Sequence, residues 1–269
     1  MSLLGDPVAW VSELTRPEAW VLASSVAFAT ALVGALAVGA LGPTYFLFLV
    51  GLAGMYALLS FGLNAQWGFT GLINFSVAAF FGVGAYGAAL MTADASPIAG
   101  GFSPLVGLAV GLLVALVLAL LIGIPTLRLR ADYLAIASLG LAEVVRLVVL
   151  NERWLTNGSA GLRGIPSFFA GWPVLSSFPE TMPGLRITVV PGAPVVLETP
   201  FWEAALNVVV IVAFTLGTYA VLRRVHQSPW GRVLRTIRSD EDLARALGKH
   251  TYAFKMQSFV LGSLIMALA

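Results

Sequence analysis

The chain contains no cysteine, so disulfides, thiolate metal sites and cysteine nucleophiles are excluded together. Histidine is almost as scarce. His226 and His250 are the two present, and both fall in one polar segment, which leaves no imidazole for chemistry inside an apolar stretch. Charge is scarce as well: Asp, Glu, Lys and Arg make up 10% of 269 residues, far below the quarter usual in soluble domains. The basic n-region of a cleavable leader is also missing, because Met1 to Glu18 carries Asp6, Glu13 and Glu18 against Arg16.

What fills the chain instead is apolar sequence, 59% of it, with a mean hydropathy of +0.92. Runs that approach the ~20 residues needed to cross ~30 Å of hydrocarbon occur at Ala19–Leu41, Thr44–Leu63, Leu72–Met91, Pro104–Pro125, Tyr133–Leu150 and Phe201–Leu222. A further run begins near Tyr252 and stops at Ala269 without a flanking charge, which reads as an incomplete span of a longer chain. Backbone polar groups in lipid must be paired within their own segment, so these runs predict helices. The expectation is an all-α, polytopic transmembrane bundle forming a single domain.

Basic residues set the orientation. Arg223, Arg224, Arg232, Arg235, Arg238, Arg245, Lys249 and Lys255 are eight of the fifteen in the chain, which places the loop around residues 223–251 in the cytoplasm. The connection with Arg128 and Arg130 falls on the same side by parity, and so does the N-terminus. Asn151–Pro200 falls outside; it carries seven of the fourteen prolines and reads as a long irregular segment.

Small residues recur every fourth position at Gly107, Gly111, Ala115, Ala119 and Gly123, a stripe that lets a second helix backbone approach closely. Between the second and third runs, Asn64, Gln66, Trp67, Gly68, Thr70, Gly71 and Asn74 interrupt the apolar pattern. Irregular polar backbone at membrane depth is tolerated only where protein or a water-filled cavity covers it. The segment is therefore either a broken helix beside a solute route or an ordinary turn. Asn64, Gln66, Asn74 and Ser76, with Glu143 from the fifth run, are the candidate path residues. Glu143 and Arg146 stand at i, i+3 and can pair; they read as a gate or as a lock between helices.

In the basic loop, Ser239 or Asp240 can cap a short helix that carries Glu241 in its first turn and ends at Gly248. Leu243, Ala244 and Leu247 would share one side, a shape suited to a partner's groove. Gly248-Lys249-His250 is the one Gly-Lys pair and lacks the rest of a phosphate-binding loop, so ATP binding by this chain is not expected. Ser159 has no histidine within reach along the sequence to activate it, which argues against a serine enzyme.

Three stretches carry a family resemblance. The loop core from Asp240 and Glu241 through Ala244 to Gly248, preceded by Gly231, looks like the ATPase-contacting loop of ABC importer permeases. Leu127 to Ile136, with Leu139-Gly140 and Glu143 to Arg146, resembles the M-type subunit of the branched-chain amino-acid ABC permease family. So do Gly62 to Tyr86 and Thr156 to Pro166. Ala131 stands where that family carries Gly. The resemblance implies a type II importer-like permease without an ATPase site of its own. Its partners would be two ATP-hydrolysing subunits, a second homologous permease and an extracytoplasmic binding protein, in a prokaryotic cytoplasmic membrane. It assigns Gly231, Asp240, Glu241, Ala244, Leu247 and Gly248 to coupling, and implies neither cofactor nor metal on this chain, nor nucleic acid. Related permeases for urea and short amides share these motifs, and an ion-coupled carrier using Glu143 is the rival of another class.

Overall fold

The computed structural model describes residues 15–129, 131–169, 172–182, 184–190 and 193–269. Arg130 and the stretch before residue 15 lie outside them. Among the described residues six helices are long and apolar enough to cross a membrane. The chain is thus a multi-pass, helical membrane protein.

It divides into two compact units, Met1–Leu49 with Pro179–Ala205, and Val50–Phe178 with Leu206–Ala269. In the first, helix α1 spans Arg16–Ala37. A capping box starts it, with the Thr15 amide donating to Glu18 Oε2 at 2.8 Å. None of its residues is buried, as suits a helix whose solvent is lipid. Pro179–Ala205 also holds a hairpin of β1 (Leu185–Val190) and β2 (Ala193–Leu197), antiparallel with Leu185 opposite Leu197. This hairpin departs from the irregular outer segment expected from the sequence. Its register sets Arg186 opposite Val196, Ile187 opposite Val195 and Thr188 opposite Pro194.

The second unit holds the core. Helix α2, Pro43–Leu63, continues without a break into a π-helical turn, Asn64–Gly68. Gly71 then takes φ +73°, and residues 71–76 run without helix until α3 begins at Val77 and ends at Thr92. The expected third span from Leu72 is therefore a helix only from Val77. Sixteen residues at 1.5 Å rise give about 24 Å, short of the ~30 Å of hydrocarbon.

Helix α4, Pro104–Thr126, buries the whole small-residue stripe from Gly107 to Gly123. Its upper half meets α3: a Cβ on Gly87 would stand 2.9 Å from Gly111 Cα. Its lower half meets α11, Thr251–Leu268, where a Cβ on Gly123 would stand 2.9 Å from Met256 Sδ. The first approach is backbone to backbone and needs glycine, whereas in the second the atom met is the end of a flexible methionine. Phe80 of α3 and Phe259 of α11 meet edge to face, with centroids 5.9 Å apart. With Leu72, Ala119, Leu127, Leu134 and Met266 they form the main core cluster.

Helix α5, Ala131–Asn151, packs on α3 and leaves most of its surface open. A single turn, α6 (Arg153–Thr156), and α7 (Pro173–Thr181) follow. Helix α8, Thr199–Gln227, leads to α9 (Pro229–Ser239) and α10 (Glu241–Ala246) before α11.

Candidate functional site

The irregular segment is held by side chains. Gln66 Nε2 donates to the Phe259 carbonyl at 2.8 Å and to Ser263 Oγ at 3.2 Å, reaching from the π-helical turn to α11. Its Oε1 accepts from Asn74 Nδ2 at 2.7 Å. Asn74 Oδ1 in turn accepts from the Ser76 amide at 2.8 Å and from Ser76 Oγ at 2.5 Å. Ser258 Oγ donates to the Ala65 carbonyl at 2.6 Å, and Ser138 Oγ of α5 accepts from the Phe75 amide at 2.9 Å. Gln66, Asn74, Ser76, Ser258 and Ser263 are all fully buried. This is how backbone freed from helix is satisfied at membrane depth.

Of the path residues proposed from sequence, Gln66, Asn74 and Ser76 therefore come together, facing one another rather than an opening. Asn64 is exposed and borders a separate hollow with Trp67 and Arg238. The segment is a broken helix, and its polar groups knit the fold. Ser138, Ser258 and Ser263 escaped the sequence reading, because a lone serine in an apolar span ordinarily satisfies itself on its own helix.

Glu143 and Arg146 lie on α5 and pair in a fork, Arg146 Nε to Glu143 Oε2 at 2.8 Å and Nη2 to Oε1 at 2.6 Å. Within this chain the pair is made along one helix, with side chains 54% and 59% exposed. They line a groove of about 710 Å³ between α3 and α5, with Ala78, Gly82 and Tyr86 on one wall and Ile136, Gly140 and Val149 on the other.

The basic segment folds back onto the membrane helices. Ser228 caps α9 by accepting from the Gly231 amide at 3.1 Å. Leu234 and Ile237 are buried, and Leu234 joins Ala65, Phe69, Leu222 and Ile265 in a second cluster. Trp230 Nε1 donates to Gln257 Oε1 of α11 at 2.6 Å. Arg238 Nη1 donates to the Gly68 carbonyl at 2.6 Å.

Asp240 caps α10, accepting from the Leu243 amide at 2.9 Å. Gly248 closes it at φ +75°, with its amide on the Arg245 carbonyl at 3.0 Å and the Lys249 amide on the Ala244 carbonyl at 3.1 Å. That is a Schellman cap, and it needs the left-handed conformation glycine adopts freely. Glu241 pairs with Lys255 of α11 and, at 3.3 Å, with Arg245. Burial pushes the Glu241 carboxyl up, but the Lys255 hydrogen bond and charge, helped by Thr251 and Arg245, hold it below the ordinary glutamate value.

Two of the six coupling candidates turn inward. Ala244 does not share an outward side with Leu243 and Leu247; it is fully buried against its own chain. Gly231 is buried too, and a Cβ there would run into the carbonyls of Val225 and His226. Leu243 and Leu247, 50% and 65% exposed, are the apolar side chains that α10 presents outward.

Comparison with known proteins adds the lineage. The family described as branched-chain amino acid transport system, permease component, matches residues 45–269. The high-affinity branched-chain amino acid transport system permease protein LivM of Salmonella typhimurium is 30% identical over 234 residues, and its Escherichia coli K12 counterpart is 31% identical over 234. Each match covers 80% of this chain and 49% of the relative, so the chain spans about half the length of these curated relatives. A probable branched-chain amino acid transport permease protein LivM of Methanocaldococcus jannaschii is 25% identical over 245 residues, covering 80% and 63%. No solved structure matches the chain. With the family pattern running from the start of α2 through the broken helix, the groove and the capped loop, the chain belongs to the family of permease components of branched-chain amino acid transport systems.

Proposed function

We propose that the chain is the transmembrane subunit of an ATP-driven ABC importer that brings branched-chain or related amino acids into the cell across a prokaryotic cytoplasmic membrane. The observation that carries this reading is α10. It is a capped helix in the most basic loop, anchored to α11 through Glu241–Lys255, and it presents Leu243 and Leu247 outward. Such a helix fits a groove on a partner that hydrolyses ATP. The chain itself then binds no nucleotide and no cofactor. Its further partners are a second permease and an extracytoplasmic binding protein. The basic loop and the N-terminus lie in the cytoplasm.

The test is reconstitution in proteoliposomes with the ATPase, partner permease and binding protein of the same system. ATP-dependent uptake of leucine, isoleucine or valine is expected. Uptake of urea or acetamide in their place would move the chain to the amide carriers. Uptake driven by a proton gradient without any ATPase would reject the importer reading. Orientation is checked on the cysteine-free chain: a cysteine at Ser228 is expected to label from the cytoplasm, and one at Ser176 from outside.

A further inference from the structure

We propose that the groove between α3 and α5 receives the amino acid as a zwitterion, Glu143 taking its ammonium group and Arg146 its carboxylate. The inference rests on the reading of the chain as an amino-acid permease and adds where, and by which charges, the cargo is recognised.

Position is the first argument. Glu143 is two residues past the midpoint of α5, about 3 Å along its axis. Ionised groups at that depth are costly in lipid, and such residues face protein interior or a water-filled route. More than half of each side chain is exposed in this chain, and both line the groove. Hydrocarbon tails offer these groups nothing.

Capacity is the second. Arg146 has five N–H donors and spends two on Glu143, through Nε and one hydrogen of Nη2. The Glu143 carboxylate accepts those two bonds and has further lone pairs free on both oxygens. A free amino acid brings the complement, three ammonium donors beside a carboxylate. It can bridge the pair, or part it by exchanging one charge-assisted contact for two. Because the pair neutralises itself when empty, the groove carries no net charge between transport cycles.

Shape is the third. Apart from Tyr86, the rest of the lining is apolar or small, with Ile136 and Val149 on α5 and Ala78 and Gly82 on α3. A branched aliphatic side chain lies against such a wall while its charged end meets the pair. A neutral amide has no charges to offer Glu143 and Arg146. The pair therefore separates the two cargo classes that the family motifs left open.

The absence of cysteine supplies the experiment. Ala142→Cys, and separately Ala78→Cys, place one thiol in the groove of the complete transporter in membrane vesicles. The rate of maleimide labelling of this chain is then measured alone and with L-leucine, isovalerate, isoamylamine or acetamide. L-Leucine is expected to slow labelling several-fold at both positions, and the other three, each lacking one or both charges, to leave it unchanged. In E143Q/R146Q the protection is expected to vanish while folded yield in detergent persists.

Labelling indifferent to L-leucine in a transporter that imports L-leucine would overturn the inference and leave the permease reading standing. Equal protection by isoamylamine or acetamide would overturn it as well. Labelling blocked without ligand and restored when the second permease is left out would make the groove a subunit interface, and also overturns it. A transporter that imports no amino acid at all would reject the permease reading beneath it.

Discussion

Arg238, in the last turn of α9, reaches the carbonyl of Gly68 at the end of the π-helical turn with a 2.6 Å hydrogen bond. Two residues before Gly68 is Gln66, which grips α11 through the Phe259 carbonyl. A push on α9 thus has a short polar route into the broken helix. Arg238→Gln is expected to leave insertion and folded yield unchanged, since the residue is exposed and its bond is worth about 1.5 kcal/mol or less there. Substrate moved per ATP hydrolysed should fall several-fold in proteoliposomes. An unchanged ratio would mean that force does not travel through this contact.

Gln66 itself is expected to matter for stability. Gln66→Leu keeps similar volume but strands Asn74 Nδ2 and removes the link to Phe259 and Ser263. A buried polar group left unpaired costs about 1–3 kcal/mol. Thermal unfolding in detergent should drop by several degrees, and the Gln66→Leu/Asn74→Leu double variant should lose less than the two singles added together. Simple additivity would show that the two amides do not act as one network.

How far the sequence reaches is clearest from particular elements. The stripe from Gly107 to Gly123 was legible because small residues at four-residue spacing have one physical use in lipid, and all five are buried. That α3 takes the upper half and α11 the lower was not, since a stripe names no partner. The break at Asn64–Ser76 showed as polar residues in an apolar run. Its closure by Ser258 and Ser263, almost two hundred residues on, depends on tertiary approach that no local pattern carries. Ala244 was placed outward because a helix of six residues has no wide apolar face to read. Which side turns to the chain is decided by the Glu241–Lys255 anchor. The i, i+3 pairing of Glu143 and Arg146 was readable from spacing; their exposure to a groove depends on where α3 stops covering α5.

Glu241 makes α10 sensitive to acid. Its folded pKa lies below the ordinary glutamate value of about 4.3. A depressed carboxyl contributes stability that is fully present above that ordinary value and is lost as pH falls through the folded one. Thermal stability in detergent should therefore carry a component that declines below about pH 4.3. Glu241→Gln should lack that component and be less stable at neutral pH, because Lys255, with only 15% of its side chain exposed, loses its partner. Parallel pH profiles for the two proteins would contradict the pairing.

The outward and inward sides of α10 make opposite predictions, and that contrast tests the docking proposal most directly. Leu243 lies in α10, and Leu247, four residues on, caps its C-terminal end. They are half-exposed or more, beside Glu241, Asp242 and Arg245, which form their own ion pairs. Two exposed leucines on a charged helix gain nothing within this chain. Burial of one in a partner's groove is worth about 1.5–3 kcal/mol, or roughly ten- to a hundredfold in affinity. Leu243→Asp and Leu247→Asp should accordingly leave folded yield at the wild-type level while the ATPase subunits fail to co-purify. Ala244 has no free space around it, and Ala244→Arg must either expel α10 from its seat or strain α11 beside it. Folded yield should fall in that variant before any question of coupling arises. Gly248→Val belongs with Ala244→Arg, because at φ +75° a β-branched residue is strained whatever space surrounds it. If the two leucine variants retained their ATPases, the partner would have to be gripping another surface. If Ala244→Arg folded normally, α10 would be free of the membrane helices, and the Glu241–Lys255 anchor could not be carrying motion into them.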